Sequence, residues 1–291
     1  MHKFLRAIGF HNITSEKEWK KILLQAEKDY SSYERIALED TIDFCELRKE
    51  YGAFIGVCSY GLIGEEEVYE REFYHPYFEG QGITSYADVI VEQRPDRKAY
   101  LGICEDTRVG VSIIFHLING MEYQKEYQLG NLPKKSTSVT LSGLATSGRI
   151  LLPVMKSSAQ KQERLEASRS RMMLLSEARK GNSEAIESLT MDDIDLYTEV
   201  SRRVQNEDIY SIVDTSFMPY GMECDQYSLL GEIIDIDTTE NTLTKETIYI
   251  LTLDVNELHF DICVPAQRLV GEPAIGRRFK GNIWLQGKIN F

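Results

Sequence analysis

The hydrophobic pattern of the chain changes character at residues 156–206. This stretch is long, charged, free of proline and periodic in the manner of helices. The chain on both sides instead alternates apolar and polar positions or runs in short apolar segments. The pattern therefore predicts a central helical segment between two β-rich regions.

Two longer helices are predicted within this segment. Residues 157–160, Ser-Ser-Ala-Gln, supply a hydroxyl cap with glutamine three positions on, and residues 180–182, Lys-Gly-Asn, end the run. A helix is therefore expected over residues 158–180. Thr190, followed by Asp193, then predicts the start of the next helix after a short intervening segment.

The chain before residue 155 indicates an antiparallel α+β domain. Ser15 and Glu18 form a capping box for one early amphipathic helix that ends near Tyr30. Short runs separated by polar turns follow, and no strand–helix alternation of the Rossmann type is present. Strands are predicted at residues 36–49, 53–62, 67–78, 87–93, 99–105 and 109–118, with two more at 121–129 and 139–152.

The chain after residue 215 indicates a compact β-rich domain. Strands are predicted at residues 227–237, 246–255, 259–264 and 279–286, with asparagine and glycine in the turns. About 75 residues with four or five strands are typical of a small β-barrel, OB-like or SH3-like. The predicted fold class is α+β, with domains at residues 1–154, 155–215 and 216–291.

Length, charge and cysteine usage limit the class of protein and the cellular compartment that the sequence can indicate. At 291 residues the chain exceeds one typical core, and its net charge of −13 disfavours non-specific adhesion to nucleic acid or anionic lipid. No run reaches the ~20 apolar residues of a membrane span. The five cysteines form no CxxC pair, and four lie in apolar surroundings, so reduced thiols and a cytoplasmic protein are predicted.

Residues 156–180 are the exception to the acidic balance. They hold seven Lys/Arg against three Glu, a local excess of +4. Such a helix docks on the protein's own acidic surface, stands in solvent or binds a partner, and the sequence leaves these alternatives open.

Motifs for catalysis and metal binding find no support. Gly143 and Gly148 have the spacing of a phosphate loop, but Arg149 and Ile150 stand where Lys and Ser/Thr would hold phosphate and magnesium. The histidines share no metal-ligand spacing, and His116, within an apolar run, is interpreted as a core residue. No cofactor and no metal site are predicted.

Arg202, Arg203, Glu207 and Asp208 are the first candidate site. They lie close together in sequence at the end of the helical segment. They form either a structural ion-pair network or, in a groove between domains, a site for a phosphorylated or acidic metabolite.

A basic cluster with interleaved aromatic residues is the second candidate, formed by Arg277, Arg278, Lys280 and Trp284. Arginine binds phosphate and an aromatic face stacks on a base, which is how small barrels hold single-stranded nucleic acid. The surrounding residues 216–291 carry a net charge of −5, however, and Trp284 lies in an apolar run, so nucleic acid is not the favoured partner.

Four runs of the sequence resemble an uncharacterised clostridial (Firmicutes) family of similar length. They are SRRVQNEDIYSIVDT at 201–215, FMPYGMECDQYS at 217–228, GRRFKGNIWLQG at 276–287 and the opening MHKFLRAIGF at 1–10. The resemblance spans the whole chain and implies the cytosol of a Gram-positive anaerobe. It implies no activity, and no residue takes a role from it.

The function predicted from the sequence is that of a non-enzymatic cytoplasmic binding or regulatory protein with a protein or small-molecule partner. The absence of a catalytic constellation in the sequence favours this hypothesis. One alternative is an enzyme acting on a phosphorylated or acidic metabolite between the domains. The other is single-stranded nucleic-acid binding through the C-terminal barrel.

Overall fold

The computed structural model describes residues 1–39, 41–94, 99–109, 111–132, 138–154 and 158–291. Within these ranges the side chains at positions 39, 158–165, 168, 179, 193, 196, 199, 200 and 204 are not described. The described chain combines helices with sheets, as predicted. Among the described residues, every helix falls short of the length and apolar character needed to cross a bilayer.

The N-terminus forms two short helices. A 3-10 helix, Lys3–Ile8, ends at Gly9, whose φ of 88° turns the chain. Helix α1, Glu16–Lys28, begins where the capping box predicted, because the Ser15 Oγ accepts a hydrogen bond from the Glu18 N–H at 3.5 Å.

The first sheet has four antiparallel strands in the order β1-β2-β3-β4. The strands are β1 Ser32–Glu39, β2 Ile42–Gly52, β3 Ile55–Ile63 and β4 Tyr69–Phe78. A single strand over residues 36–49 is wrong, because the chain reverses between β1 and β2 and Ala37 pairs with Asp43. The alternation of apolar and polar residues continues through this tight turn, so periodicity alone did not mark the reversal.

The second sheet draws strands from both sides of the helical segment. Its strands are β5 Val89–Gln93, β6 Tyr100–Cys104, β7 Ile113–Leu117, β8 Ser138–Ala145, β9 Gly148–Leu151, β10 Ser216–Pro219, β11 Gln226–Glu240, β12 Thr247–Val255, β13 Leu258–Pro265, β14 Leu269–Val270 and β15 Arg278–Asn290. Strand β8 lies between β13 and β15, so chain from before and after the helices shares one hydrogen-bonded ladder. The domain division at 1–154, 155–215 and 216–291 stays a prediction.

Five strands of the second sheet pair in a closed cycle. The N-terminal half of β11 pairs with β15, and its C-terminal half pairs with β12. Strand β12 pairs with β13, β13 pairs with β8, and β8 pairs with β15. The β13–β8 contact is parallel and the other four are antiparallel. Gly143 and Gly148 lie in β8 and β9, as their interpretation as strand residues predicted.

A helix replaces one of the predicted strands. Residues 121–129 were predicted as β, whereas α2, Gly120–Gln128, occupies them, with the Tyr123 N–H bonded to the Asn119 carbonyl at 3.0 Å. The Asn119 side chain holds this start, because its Nδ2 donates to the Ile289 carbonyl at 2.9 Å. A contact with residue 289 has no local sequence signal.

The central segment is a helical hairpin. Helix α3 spans Ser158–Arg179, close to the predicted 158–180, and the cap predicted at residue 157 lies outside the described residues. Helix α4 spans Ser183–Val204 and packs against α3, and a short α5, Ile209–Ile212, follows.

The predicted helix start at Thr190 is wrong. Helix α4 begins at Asn182, whose Oδ1 accepts the N–H groups of Glu184 and Ala185 at 3.0 and 3.3 Å. Thr190 lies inside the helix, and its Oγ1 donates to the Ile186 carbonyl at 2.7 Å. Asn182 rather than Thr190 is thus the N-cap, because residues 183–204 form one continuous helix with a single N-terminus.

The N-terminal helices join the two sheets. Their apolar side chains form one buried cluster with residues of β2, β3 and β4 and of the second sheet. Its members include Phe4, Leu5, Ile8, Phe10, Trp19, Leu23, Tyr51, Ile55, Phe78, Leu144, Ile250, Cys263 and Trp284. This packing fixes the first residues of the chain beside Trp284, where they line the cavity described next.

Candidate functional site

A cavity of about 260 Å³ opens beside Trp284. Its walls come from the N-terminal residues, β4, β7, the start of β11, β15 and residues 94 and 223–225. The lining residues are His2, Lys3, Phe4, Phe73, His75, Arg94, His116, Glu223, Asp225, Gln226 and Trp284. We call this the Trp284 cavity.

Two buried histidines form its floor. The Nε2 atoms of His75 on β4 and His116 on β7 lie 3.1 Å apart, and the side chains are 4% and 5% exposed. The His75 Nδ1 lies 3.1 Å from the Pro76 carbonyl oxygen, which can only accept, so Nδ1 carries a proton. In the neutral pair the His75 Nε2 therefore accepts from the His116 Nε2–H.

Gln286 holds the two histidine strands together. On β15 it pairs in register with His116 and is fully buried. Its Nε2 donates to the Pro76 carbonyl at 2.9 Å, and its Oε1 accepts the Phe78 N–H at 3.0 Å. This side-chain bridge satisfies the backbone of β4 and sets the distance between His75 and His116.

Trp284 forms the aromatic wall. Its ring centroid lies 4.9 Å from those of His116 and His2 and 5.6 Å from that of Phe4, which stacks at 27°. The Trp284 Nε1–H donates to the Asp225 Oδ2 at 2.9 Å, so the buried indole is satisfied.

Asp225 is the buried acid of the cavity. Burial raises the pKa of its carboxyl, while the hydrogen bond from Trp284 and the charge of Arg94 act in the opposite direction. The Arg94 Nη1 lies 3.3 Å from Asp225, and its Nη2 lies 3.5 Å from Glu223. Arg94 thus bridges the two carboxylates of the wall.

Lys3 stands at the rim, exposed to solvent. Its Nζ donates to the Gln226 Oε1 at 2.8 Å and lies 4.9 Å from the centroid of the Phe4 ring. An ammonium group has three N–H donors, so one hydrogen bond to Gln226 leaves donors for a further acceptor in the cavity.

A second cavity, of about 160 Å³, is lined mainly by polar groups between β1, β2 and α2. There Arg48 pairs with Glu46 and, at 2.9 Å, with Glu79, and it also donates to the Ile118 carbonyl. The Glu46 Oε2 is buried without a hydrogen-bond partner among the described residues. Because this cavity is smaller than the Trp284 cavity and has no aromatic residue in its lining, the Trp284 cavity is the better candidate for an external ligand.

The first sequence-predicted group lies on the surface at the end of α4. Arg203 and Glu207 form an exposed ion pair at 2.9 Å, and the hydrogen bond from Arg203 lowers the pKa of the Glu207 carboxyl. Asp208 caps α5 by accepting the Tyr210 N–H at 2.8 Å, and Arg202 is exposed. The assignment of a ligand site to these residues stays a prediction.

The second predicted group is divided by the structure. Trp284 lines the cavity, whereas the Lys280 Nζ lies 3.9 Å from the centroid of the Tyr210 ring and Arg277 donates to the Glu272 carbonyl. Arg278 is buried and donates to the carbonyls of residues 152 and 213, at 3.0 and 2.9 Å. Burial lowers the pKa of its guanidinium. Nucleic-acid binding through this group stays a prediction.

Sequence reasoning did not find the histidine pair. The interpretation of His116 as a buried residue is confirmed, but 41 positions separate it from His75 and no spacing rule joins them.

The cysteines are free, with four buried and Cys224 exposed, and burial and the Asp225 charge raise the pKa of the Cys224 thiol. Across the described ranges, no three His, Cys, Asp or Glu side chains cluster so as to hold a metal ion.

Comparisons with known proteins give a family and no activity. Neither the curated proteins nor the solved structures include a significant match to this chain. Residues 5–287 match the family described as "Domain of unknown function, E. rectale Gene description (DUF3881)". The resemblance to a clostridial family seen in the sequence is thereby confirmed, and the chain belongs to this family of unknown function.

Proposed function

We propose that this is a cytoplasmic, non-enzymatic binding or regulatory protein whose Trp284 cavity takes a small acidic molecule. The observation that carries the proposal is the convergence of Lys3, Arg94 and His2 on one aromatic wall. Cations and imidazole N–H groups are donors for carboxylate or phosphate oxygens, and an indole face favours a planar or apolar remainder.

The position of the charges in the cavity, rather than their sum, favours an anion. Arg94 bridges Asp225 and Glu223, which leaves one negative charge in that group, and the Lys3 ammonium brings the formal charge of the four side chains to zero. Lys3 is exposed and His2 half-buried, whereas His75, His116 and Asp225 are buried, so a ligand that enters from solvent meets Lys3 first. An acidic ligand would complete the pairing of Lys3, whereas a cation would meet Lys3 and Arg94 first.

The size of the cavity favours a small molecule over a polymer. Its volume of about 260 Å³ lies just below the usual range of roughly 300–1,000 Å³ for small-molecule sites. A buried histidine pair at the floor also gives the site a fixed depth. We therefore expect a metabolite with one or two acidic groups.

For the architecture, we propose that β8, β11, β12, β13 and β15 close as a small OB-like barrel. The cyclic pairing of these five strands supports this proposal. An OB-like barrel has five strands, and here the fifth would be β8, which comes from before the helical segment. The barrel would then span two of the three predicted domains.

The two alternatives have weaker support. An enzyme using Arg202, Arg203, Glu207 and Asp208 requires a cavity that holds them, and their placement at the surface does not favour it. Single-stranded nucleic-acid binding requires Arg277, Arg278 and Lys280 to face a strand, whereas Arg278 is buried in backbone contacts.

The test is a thermal melt against small carboxylates, inorganic phosphate and mononucleotides, followed by calorimetric titration of any hit. A ligand at 100 times its Kd stabilises the fold by about 2.7 kcal/mol. Lys3→Gln should weaken binding by about tenfold or more, the loss of one charge-assisted hydrogen bond. Lys17→Gln, which changes another exposed lysine, on α1, is the matched control and should bind as the parent does. A flat panel, or equal binding by the Lys3 variant, would sink the proposal.

A further inference from the structure

The smaller cavity, of about 160 Å³, lies between β1, β2 and α2 and shares no described lining residue with the Trp284 cavity. We call it the Arg48 cavity. Three N–H groups of Arg48 donate there, to the carboxylates of Glu46 and Glu79 and to the Ile118 carbonyl. The guanidinium also lies 5.3 Å from the centroid of the Tyr77 ring. These contacts fix Arg48 in place, and with it the two carboxylates that it binds.

Glu46 is the buried acid of this cavity. The side chain is 2% exposed, and its Oε1 accepts the Arg48 Nε–H. Among the described residues, its Oε2 has no hydrogen-bond partner. The thiol of Cys58, buried on the neighbouring strand β3, stands beside this carboxylate, but an S–H group is only a weak donor. A buried carboxylate oxygen without a strong donor is costly, so the cavity offers a place for a ligand that donates.

The charges that line the Arg48 cavity are mainly negative. The ionisable lining residues have a formal charge of −2 and are Glu34, Glu46, Arg48, Glu79, Glu122 and Lys288. Lys125, outside the lining, pairs with Glu34 at 3.0 Å, so one negative charge remains uncompensated. A positively charged donor is therefore held more strongly here than water, which is a neutral donor.

Lys288 is the second cation of the lining, but it does not supply the missing donor. It lies half-buried on β15, and its ammonium does not donate to the Glu46 Oε2. Its positive charge opposes a cationic ligand in the same cavity. The charge of Lys288 should therefore reduce the affinity for such a ligand without abolishing it.

An organic cation fits this lining better than a metal ion does. A metal ion needs several ligand atoms that converge on one point, and across the described ranges no three His, Cys, Asp or Glu side chains do so. A primary ammonium group instead has three N–H donors and forms ordinary hydrogen bonds with carboxylates. The volume lies below the roughly 300–1,000 Å³ of usual small-molecule sites, so a ligand of few atoms is expected.

We propose that the Arg48 cavity binds a small organic cation of the primary-ammonium class, which donates to the Glu46 Oε2. Arg48 holds the Glu46 carboxylate in position, and the excess of glutamates in the lining favours the positive charge. The proposal does not depend on the ligand of the Trp284 cavity, because the two cavities share no described lining residue.

The test uses methylammonium as the probe and the full chain as the receptor. Saturation-transfer NMR on the methyl protons follows binding from roughly 0.1 to 100 mM at fixed ionic strength, because a ligand with two non-hydrogen atoms reaches a Kd of roughly millimolar size at best. We expect saturable binding. Tetramethylammonium has the same charge and no N–H donor, so it should give no saturable signal.

Three variants locate the site. Glu46→Gln removes the charge of the acceptor and should weaken methylammonium binding by roughly tenfold. Lys288→Met removes the opposing charge and should strengthen binding severalfold. Glu66→Gln, which changes an exposed glutamate in the turn after β3, is the matched control and should bind as the parent does. Circular dichroism checks that each variant is folded, and Lys288→Met decides the matter if Glu46→Gln does not fold.

Four results would overturn the proposal. The absence of saturable methylammonium binding would show that water alone occupies the cavity, and equal binding of tetramethylammonium would show that no N–H donor is needed. Binding that Glu46→Gln leaves unchanged would place the probe elsewhere. Weaker binding by Lys288→Met would show that the cavity does not select a cation.

Discussion

The Nε2 atoms of His75 and His116 face each other at 3.1 Å between two strands that belong to different sheets. One proton lies between two nitrogens, and Pro76 fixes which histidine accepts it. The pair is therefore both a link between β4 and β7 and the floor of the Trp284 cavity.

Removing one member of this pair should destabilise the fold. His116→Leu takes away the hydrogen bond that the His75 Nε2 accepts in a buried setting, so we expect a loss of about 1–3 kcal/mol in the free energy of unfolding by urea. His116→Gln keeps an N–H donor and should lose less. His259→Leu is the control, because that side chain is 58% exposed and lies 3.5 Å from Asp254. Equal losses at positions 116 and 259 would contradict the buried bond.

Asp225 should make stability fall with rising pH. Burial raises the pKa of its carboxyl above the ordinary 3.8. Between pH 3.8 and the raised pKa, the folded state therefore binds more protons than the unfolded state. Its contribution to the free energy of unfolding is most favourable at low pH. That contribution declines as pH rises from 3.8 through the raised pKa and is level above it.

The measurement is urea unfolding of the parent and Asp225→Asn over roughly pH 3.5 to 7, since asparagine cannot titrate. The parent should lose stability relative to the variant across the window. Glu223→Gln, whose side chain is 56% exposed in the parent, keeps Asp225 and should lose stability across the window as the parent does. A parent that gains relative to Asp225→Asn as pH rises would show that the carboxyl has a lowered pKa instead.

Arg278 should anchor both ends of the helical segment. Its guanidinium bonds the carbonyls of Leu152, before α3, and Val213, after α5. Arg278→Met leaves both carbonyls without that donor, so we expect a loss of about 1–3 kcal/mol and faster limited proteolysis beside the helices. Arg277→Met removes only a bond to the Glu272 carbonyl and should change both readouts little. Matching behaviour of the two variants would argue against the anchor.

Alanine substitutions at Asn182 and Thr190 should change the stability of helix α4 in opposite directions. Asn182→Ala removes the side chain that accepts two N–H groups at the start of α4, which should cost about 1 kcal/mol of helix stability. Thr190→Ala replaces a mid-helix threonine by the best helix former and should stabilise α4 by a few tenths of a kcal/mol. Thermal melts followed at the helical circular-dichroism band compare the two. Destabilisation at 190 without loss at 182 would restore the helix start predicted from the sequence.

Local chemistry in the sequence determined much of the secondary structure. The capping box at Ser15, the extent of α3 and the four longer strands of the last 76 residues follow from neighbouring residues, and the structure has them close to where they were predicted. The short strands β10 and β14 were not predicted. The family was also evident from runs of sequence spread along the chain. Periodicity gave a wrong prediction at two places. It predicted one strand where the chain reverses between β1 and β2, because apolar and polar residues continue to alternate through the turn. It also predicted a strand where helix α2 forms, beside Asn119, whose side chain is bonded to the Ile289 carbonyl.

Only the tertiary structure decided the cavity and the sheet that supports it. His75 and His116 are 41 positions apart, and Lys3 and Gln226 are 223 apart. Strand β8 joins a ladder with strands more than 110 residues later in the chain. Such contacts depend on which apolar faces pack together over the whole molecule, and no spacing along the chain encodes them. The sequence alone therefore determined the elements and the family, while packing chose the residues that share a site.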